Sequence, residues 1–205
     1  MIRGLVLRRI DYEETSYIIT CLSKDNSISL LVRGAKRKNS EKLAVSEPLT
    51  MIDFVPSKNP KLPTLIEANV IDDYREIKND LSKYLISNII IEYVLELINH
   101  SNDESKLYNL VLLTLDELKI CNNPKITLFK FELLLLKILG INPNKEYLMS
   151  EYERGDLIVK SIESIMNSDS LVDEILLENF FIDYFKRELG INLKSKKIYN
   201  QIMNR

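Results

Sequence analysis

Apolar residues recur in two different rhythms along this chain, and the change of rhythm divides it. The first 70 or so residues carry short apolar runs broken by polar turns. Residues 2–10 (I-R-G-L-V-L-R-R-I), 17–22 (Y-I-I-T-C-L), 28–33 (I-S-L-L-V-R), 49–55 (L-T-M-I-D-F-V) and 64–71 (T-L-I-E-A-N-V-I) predict five strands. Asp11 to Thr15 reads as a polar turn. Lys24-Asp25-Asn26-Ser27 reads as a hairpin turn in which Asn26 can take the left-handed conformation. Pro56, Pro60 and Pro63 bracket a loop that neither a helix nor a central strand accommodates.

After Asp73 the period becomes helical. Asn79-Asp80 caps a helix whose apolar positions are Leu81, Tyr84, Leu85, Ile89, Ile91, Val94, Leu95 and Ile98. Further helices are predicted over 104–120 and 124–139, the latter with Asn123 as cap, Pro124 in its first turn and Gly140 as its stop. Residues 141–160 read as an irregular insert in which E-R-G-D at 153–156 turns a hairpin between short extended pieces. Helices over 170–189, ending at Gly190, and 194–203 complete the pattern. Strands first and helices afterwards predict an α+β chain. Its domains are a five-stranded barrel over 1–75 and an α-helical domain over 76–205, with the seam near 72–79. Five short strands with no βαβ crossover fit an OB-fold first and an SH3-like barrel second.

Composition agrees with a folded, water-borne chain: 205 residues, 45% apolar and 28% charged. Cys21 and Cys121 stand alone and suit a reducing cytosol. Arg3, Arg8 and Arg9 interrupt the N-terminus too early for a signal peptide, and Glu92 and Glu96 break the most apolar run, so a cytoplasmic protein is expected.

Charge is uneven. Net charge is +2 over 1–75, −7 over 76–175 and +3 over 176–205. The densest positive stretch follows the third strand, where Arg33, Lys36, Arg37, Lys38 and Lys42 face one acid, Glu41. A strand that empties into a mobile basic loop can present cations to a polyanion, the plainer alternative being a loop kept soluble by its charge. Arg8 and Arg9 of the first strand join these five as candidate DNA-binding residues. Tyr12, Tyr17 and Phe54 are the only aromatics of the five predicted strands and the turns between them, so binding is expected to rest on phosphate contacts more than on stacking. Lys186, Arg187, Lys194, Lys196 and Lys197 form a possible second basic site, or complement the ends of helices.

Catalytic chemistry finds little support. His100, the sole histidine, sits at a predicted helix end, where capping carbonyls is its expected work. No zinc-type ligand set can be assembled, no phosphate-cradling glycine motif is present, and the paired acids Glu13-Glu14 and Asp72-Asp73 point to different sides. A non-enzymatic protein without cofactors is expected. The apolar excess of 133–136 (L-L-L-L), Phe129, Phe131, Phe180 and Phe181 belongs to a bundle core or a docking groove.

A co-linear set of motifs resembles the bacterial DNA-repair family RecO. The set comprises Gly4, Val6 and Leu7; Asp11, Tyr12 and Glu14; Ile18 and Thr20; R-G-A-K-R-K-N-S at 33–40; Pro48; F-E-L-L-L-L-K-I-L-G at 131–140; and L-G-I-N-L-K-S-K-K at 189–197. The resemblance implies an N-terminal OB-fold and a helical C-terminal domain. It implies binding of single- and double-stranded DNA, annealing of complementary strands, and cooperation with RecR and single-stranded-DNA-binding protein in loading RecA. By position, the family's basic strand-to-loop motif falls on Arg33, Lys36, Arg37 and Lys38. Many members carry a four-cysteine zinc site after the 131–140 helix, whereas 141–160 here holds no cysteine or histidine, so no zinc is expected there. The alternative reading is a protein-interaction adaptor whose barrel binds a partner protein and not DNA.

Overall fold

A computed structural model describes residues 1–98 and 104–203. Five strands form one antiparallel sheet: β1 (Ile2–Tyr12), β2 (Ser16–Ser23), β3 (Ser27–Val32), β4 (Thr50–Pro56) and β5 (Leu65–Asp72), in the order β3-β2-β1-β4-β5. The two outer strands then meet. Leu31 and Thr64 form a parallel bridge, and the Leu31 N–H donates to the Pro63 carbonyl at 2.8 Å. This closes the sheet into a barrel with OB-fold topology.

The alternation of each strand fills that barrel. Val6, Ile19, Cys21, Leu30, Val32, Ile52, Phe54 and Leu65 form its core, with Ala35 and Val45 packed into the same cluster. Burial pushes the Cys21 thiol up to about 12, so this cysteine packs as a small hydrophobe. In β1 the register slips between Val6 and Arg8, leaving Leu7 as an extra residue. Such a bulge re-aims the side chains after it. Leu5, Val6 and Leu7 are all buried, and Arg8 emerges exposed. The β2–β3 turn closes through Ser23, whose hydroxyl donates to the Asn26 carbonyl at 2.6 Å. Asn26 is not among the positive-φ residues, so the left-handed conformation foreseen for it is not used.

The helices are α1 (Arg75–Lys78), α2 (Leu81–Leu97), α3 (Glu104–Ile120), α4 (Pro124–Ile138), α5 (Lys145–Glu151), α6 (Gly155–Ser168), α7 (Glu174–Leu189) and α8 (Lys194–Met203). The chain divides into two compact units, Met1–Asp80 with Ile98–Asn109, and Leu81–Leu97 with Leu110–Arg205. Helix punctuation follows the sequence. Asn123 caps α4 by accepting from the Lys125 N–H, and Gly140 (φ +72°) ends it as the Ile141 N–H reaches back to the Leu136 carbonyl. Asp173 caps α7, and Gly190 (φ +69°) stops it. His100, expected at a helix end, lies outside the described residues.

Residues 141–160 depart from expectation: they carry α5 and the start of α6, not a hairpin. Asn144 caps α5 by accepting from the Tyr147 N–H. The E-R-G-D stretch is the joint between the two helices, and Gly155 is where they touch. A Cβ on Gly155 would lie 2.1 Å from the Leu148 carbonyl oxygen. The glycine was legible as a turn signal, but its reason is close backbone approach. This span offers no cysteine or histidine, so its residues do not fit a zinc site. Among the described residues no cluster of His, Cys, Asp or Glu is placed to hold a metal ion.

The second unit is centred on aromatics. Tyr93 packs on Phe185 with ring centroids 4.6 Å apart, and Phe129 stacks on Phe181 at 5.7 Å. Phe129, Phe131, Phe180 and Phe181 are buried, as are Leu133, Leu135 and Leu136, whereas Leu134 is exposed. A charge sits within this core. Glu132 of α4 is fully buried, its Oε1 lying 2.5 Å from Lys196 Nζ of α8 and accepting the Tyr93 hydroxyl at 2.6 Å. Burial raises the Glu132 carboxyl above its usual range, against the pull of Lys196 toward the ionised form. The start of α8 is fixed from α2: Glu92 accepts from the Lys194 N–H at 2.9 Å and the Ser195 N–H at 2.8 Å.

Two outcomes follow. Lys196→Met leaves the buried carboxylate without its cation and costs about 3–5 kcal/mol at neutral pH. In that variant the folded state holds the Glu132 proton more tightly than the unfolded state, so the loss shrinks as pH falls. Urea denaturation at neutral and mildly acidic pH reads both effects. Gly155→Ala forces the α5–α6 joint apart and costs about 1–3 kcal/mol, read as a lower urea midpoint.

Candidate nucleic-acid interface

The segment after β3 is a run of turns and not an open loop. Arg37 N–H donates to the Gly34 carbonyl, Ser40 N–H to that of Arg37 and Leu43 N–H to that of Ser40, at 3.1–3.2 Å. Gly34 (φ +73°) supplies the left-handed step that starts the run. Ala35 is buried in the barrel core, and the chain continues into a 3-10 helix, Glu41–Ser46, whose Val45 fills the barrel beside it. The basic stretch is thus a folded rim seated on the barrel, where the sequence pointed to a mobile loop.

Tyr17 of β2 ties this rim down. Lys36 lies over its ring at 5.2 Å, and Arg9 of β1 at 4.6 Å. Both cations are also neutralised. Lys36 Nζ is 3.2 Å from Asp11 Oδ1 and donates to the Glu13 carbonyl at 3.2 Å, while its backbone N–H donates to the Thr15 carbonyl at 3.0 Å. Arg9 pairs with Glu47. The rim is therefore stitched to the β1–β2 turn, and Tyr17 serves as an anchor and not as a stacking platform.

The remaining cations behave differently. Arg8, Arg33, Arg37, Lys38 and Lys42 are exposed, and among the described residues none takes part in an ion pair. Lys42 Nζ reaches only the Arg33 carbonyl, at 3.4 Å. Of the seven candidate residues, five present free charge and two, Arg9 and Lys36, spend theirs on the frame. Elsewhere in this unit Arg3 is held bidentate by Asp53, at 2.8 Å to each oxygen, which lowers that carboxyl below its usual range. Two lysines in the β4–β5 loop, Lys58 and Lys61, were not singled out from the sequence. Both are exposed and without an ion pair among the described residues, and their signal was the absence of any acid over 57–64.

The C-terminal cluster does not hold together as one surface. Lys196 is buried against Glu132 and cannot face solvent, which corrects the expectation that it joins a second basic site. Arg187 lies between Glu151 at 3.5 Å and Asp183 at 3.7 Å. Lys186, Lys194 and Lys197 are exposed. No helix among the described residues is long and apolar enough to cross a membrane.

Comparison with known proteins gives a consistent assignment. The family described as Recombination protein O N terminal matches residues 1–74, and Recombination protein O C terminal matches residues 78–169. DNA repair protein RecO of Bacillus subtilis (strain 168) is 32% identical over 68% of this chain and 55% of its own length. The Halalkalibacterium halodurans protein of that name is 30% identical over 72% and 58%, respectively. That of Exiguobacterium sibiricum is 27% identical over 98% and 96%. The chain thus matches about half the length of the Bacillus relative, and nearly all of the Exiguobacterium one. With both family halves matched in order on the barrel and the helices, the chain belongs to the RecO family of DNA-repair proteins.

Proposed function

We propose that this chain is a non-enzymatic DNA-binding mediator of repair and recombination. It binds single- and double-stranded DNA through the barrel rim, anneals complementary strands, and works in the cytoplasm with RecR and single-stranded-DNA-binding protein to load RecA. The observation that carries the DNA reading is the division of the rim's cations. Arg9 and Lys36 are neutralised within the frame, whereas Arg8, Arg33, Arg37, Lys38 and Lys42 are exposed and without an ion pair among the described residues. Free cations on a fixed support release the counterions of a phosphate backbone without first breaking ion pairs of their own. Phosphate contacts leave base edges open, so two strands whose repulsion is screened on the rim can still pair. Five contacts give a log–log salt slope of roughly −3.5 on a single strand, at about 0.7 per phosphate. The membership of the chain in a DNA-repair family supports the same reading.

One feature favours the barrel as a protein-binding adaptor instead: β5 exposes Ile66, Val70 and Ile71. That reading requires DNA affinity that ignores salt.

Arg33→Glu/Arg37→Glu/Lys38→Glu should weaken single-strand binding by orders of magnitude at low salt, flatten the salt slope by about 2 units and abolish annealing. Fluorescence anisotropy across a salt series, with an annealing assay, reads all three, and unchanged affinity at low salt rejects the rim. Lys36→Ala, whose charge is already met by Asp11, should weaken binding less than Arg37→Ala or Lys38→Ala in the same titration.

A further inference from the structure

Two cations beside the rim are covered by acids that are more exposed than they are. The side chain of Lys36 is 21% exposed and that of its partner Asp11 81%. Arg9 is 25% exposed and its partner Glu47 43%. The acid is thus the outer member of each pair, so an anion arriving from solvent meets a carboxylate first. A carboxylate on an ammonium or a guanidinium makes the contact that a phosphate oxygen would make there.

Neither cation depends on its acid to stay in place. Lys36 Nζ also donates to the Glu13 carbonyl at 3.2 Å, its backbone N–H donates to the Thr15 carbonyl at 3.0 Å, and its ammonium lies 5.2 Å from the centre of the Tyr17 ring. Arg9 projects from β1, where it stands opposite Ile19 of β2, and lies over the same ring at 4.6 Å. Taking away either carboxylate charge would therefore leave a cation already positioned. Nor does stability account for the acids, since exposed pairs of this kind add little to it.

We propose that Asp11 and Glu47 are internal competitors for DNA phosphate, Asp11 on Lys36 and Glu47 on Arg9. Each holds a latent phosphate contact closed, and together they set the grip of the rim below what all of its cations would give. The proposal rests on the reading of the rim as a DNA contact and assigns a part in it to the acids. When a phosphate displaces one of these carboxylates, the backbone releases a counterion while the freed acid takes one up. The masked pairs therefore add little to affinity or to its salt dependence. A limited grip suits an annealing protein, which has to release the strands that it has paired.

The test is a salt series of fluorescence anisotropy on the full chain with a fluorescein-labelled oligothymidylate. It compares wild type with Asp11→Asn, Glu47→Gln and the double variant, which remove charge at nearly constant shape. Thermal unfolding checks that the fold is kept. Each single variant should bind roughly fivefold tighter at ~0.1 M salt and steepen the log–log slope by about 0.7, and the double variant by about 1.4. Glu14→Gln is the control for a general loss of negative charge, because Glu14 is an exposed acid of the same turn without an ion pair among the described residues. The gain of Asp11→Asn should vanish in a Lys36→Met background and that of Glu47→Gln in an Arg9→Met background, whereas any gain of Glu14→Gln should persist in both. Variants that bind like wild type, or gain no more than Glu14→Gln, overturn the competition. A gain that survives the loss of the paired cation overturns it as well. In either case the rim stands as long as Arg33→Glu/Arg37→Glu/Lys38→Glu weakens binding. Wild-type binding that is absent or indifferent to salt overturns the rim and the competition together.

Discussion

One hydrogen bond decides the shape of the barrel. The Leu31 N–H given to the Pro63 carbonyl joins the two outermost strands of a sheet that would otherwise present an open edge at each side. An unclosed sheet exposes its ladder groups and leaves its apolar face half covered. Closure places Val6, Ile19, Leu30, Ile52 and Phe54 on a common interior and leaves the connecting segments at two opposite ends. Those segments carry the free cations. The geometry of charge is thus a product of strand pairing: the rim continues from β3, and the β4–β5 loop is held where β5 meets it.

The rim also shows why density of charge in a sequence is a poor measure of charge on offer. Seven basic residues cluster by sequence and by register, yet Arg9 and Lys36 are held by Glu47, Asp11 and the ring of Tyr17. Exposed ion pairs add little to stability, with a typical worth of about 0–1 kcal/mol. Their larger effect here is positional, since Lys36 connects the rim to the β1–β2 turn through its main chain and its side chain. Two cations give up their charge to the frame, and the five that remain project from a surface of defined form.

Much of this fold was legible in the residues. Period-two runs marked each strand, and Asn123, Gly140 and Gly190 punctuated the helices through caps that act locally. What could not be read depended on contacts distant in sequence. Residues 141–160 looked irregular because α5 and α6 are short and Gly155 sits between polar neighbours. Only the approach of its backbone to Leu148 explains that glycine. Lys196 looked like a surface lysine in K-S-K-K, because nothing local announces that Glu132 waits inside the core. The free cations of the rim were found as a group, but which of them were free required the positions of Asp11 and Glu47. Lys58 and Lys61 carry no local signal beyond two charges set among prolines, and only the fold shows that both are exposed.

The pairing of Glu132 with Lys196 has a temporal consequence. The strands of the barrel are complete by Asp72, so every residue of its interior cluster is available early in synthesis. Glu132, by contrast, emerges from the ribosome well before the lysine that neutralises it. Until α8 arrives, its carboxyl must stay hydrated or take up a proton, since an ionised acid does not enter an apolar core alone. In chain order the barrel's interior cluster is thus complete before Glu132 is made, whereas the buried carboxyl of the helical half waits for Lys196 of α8.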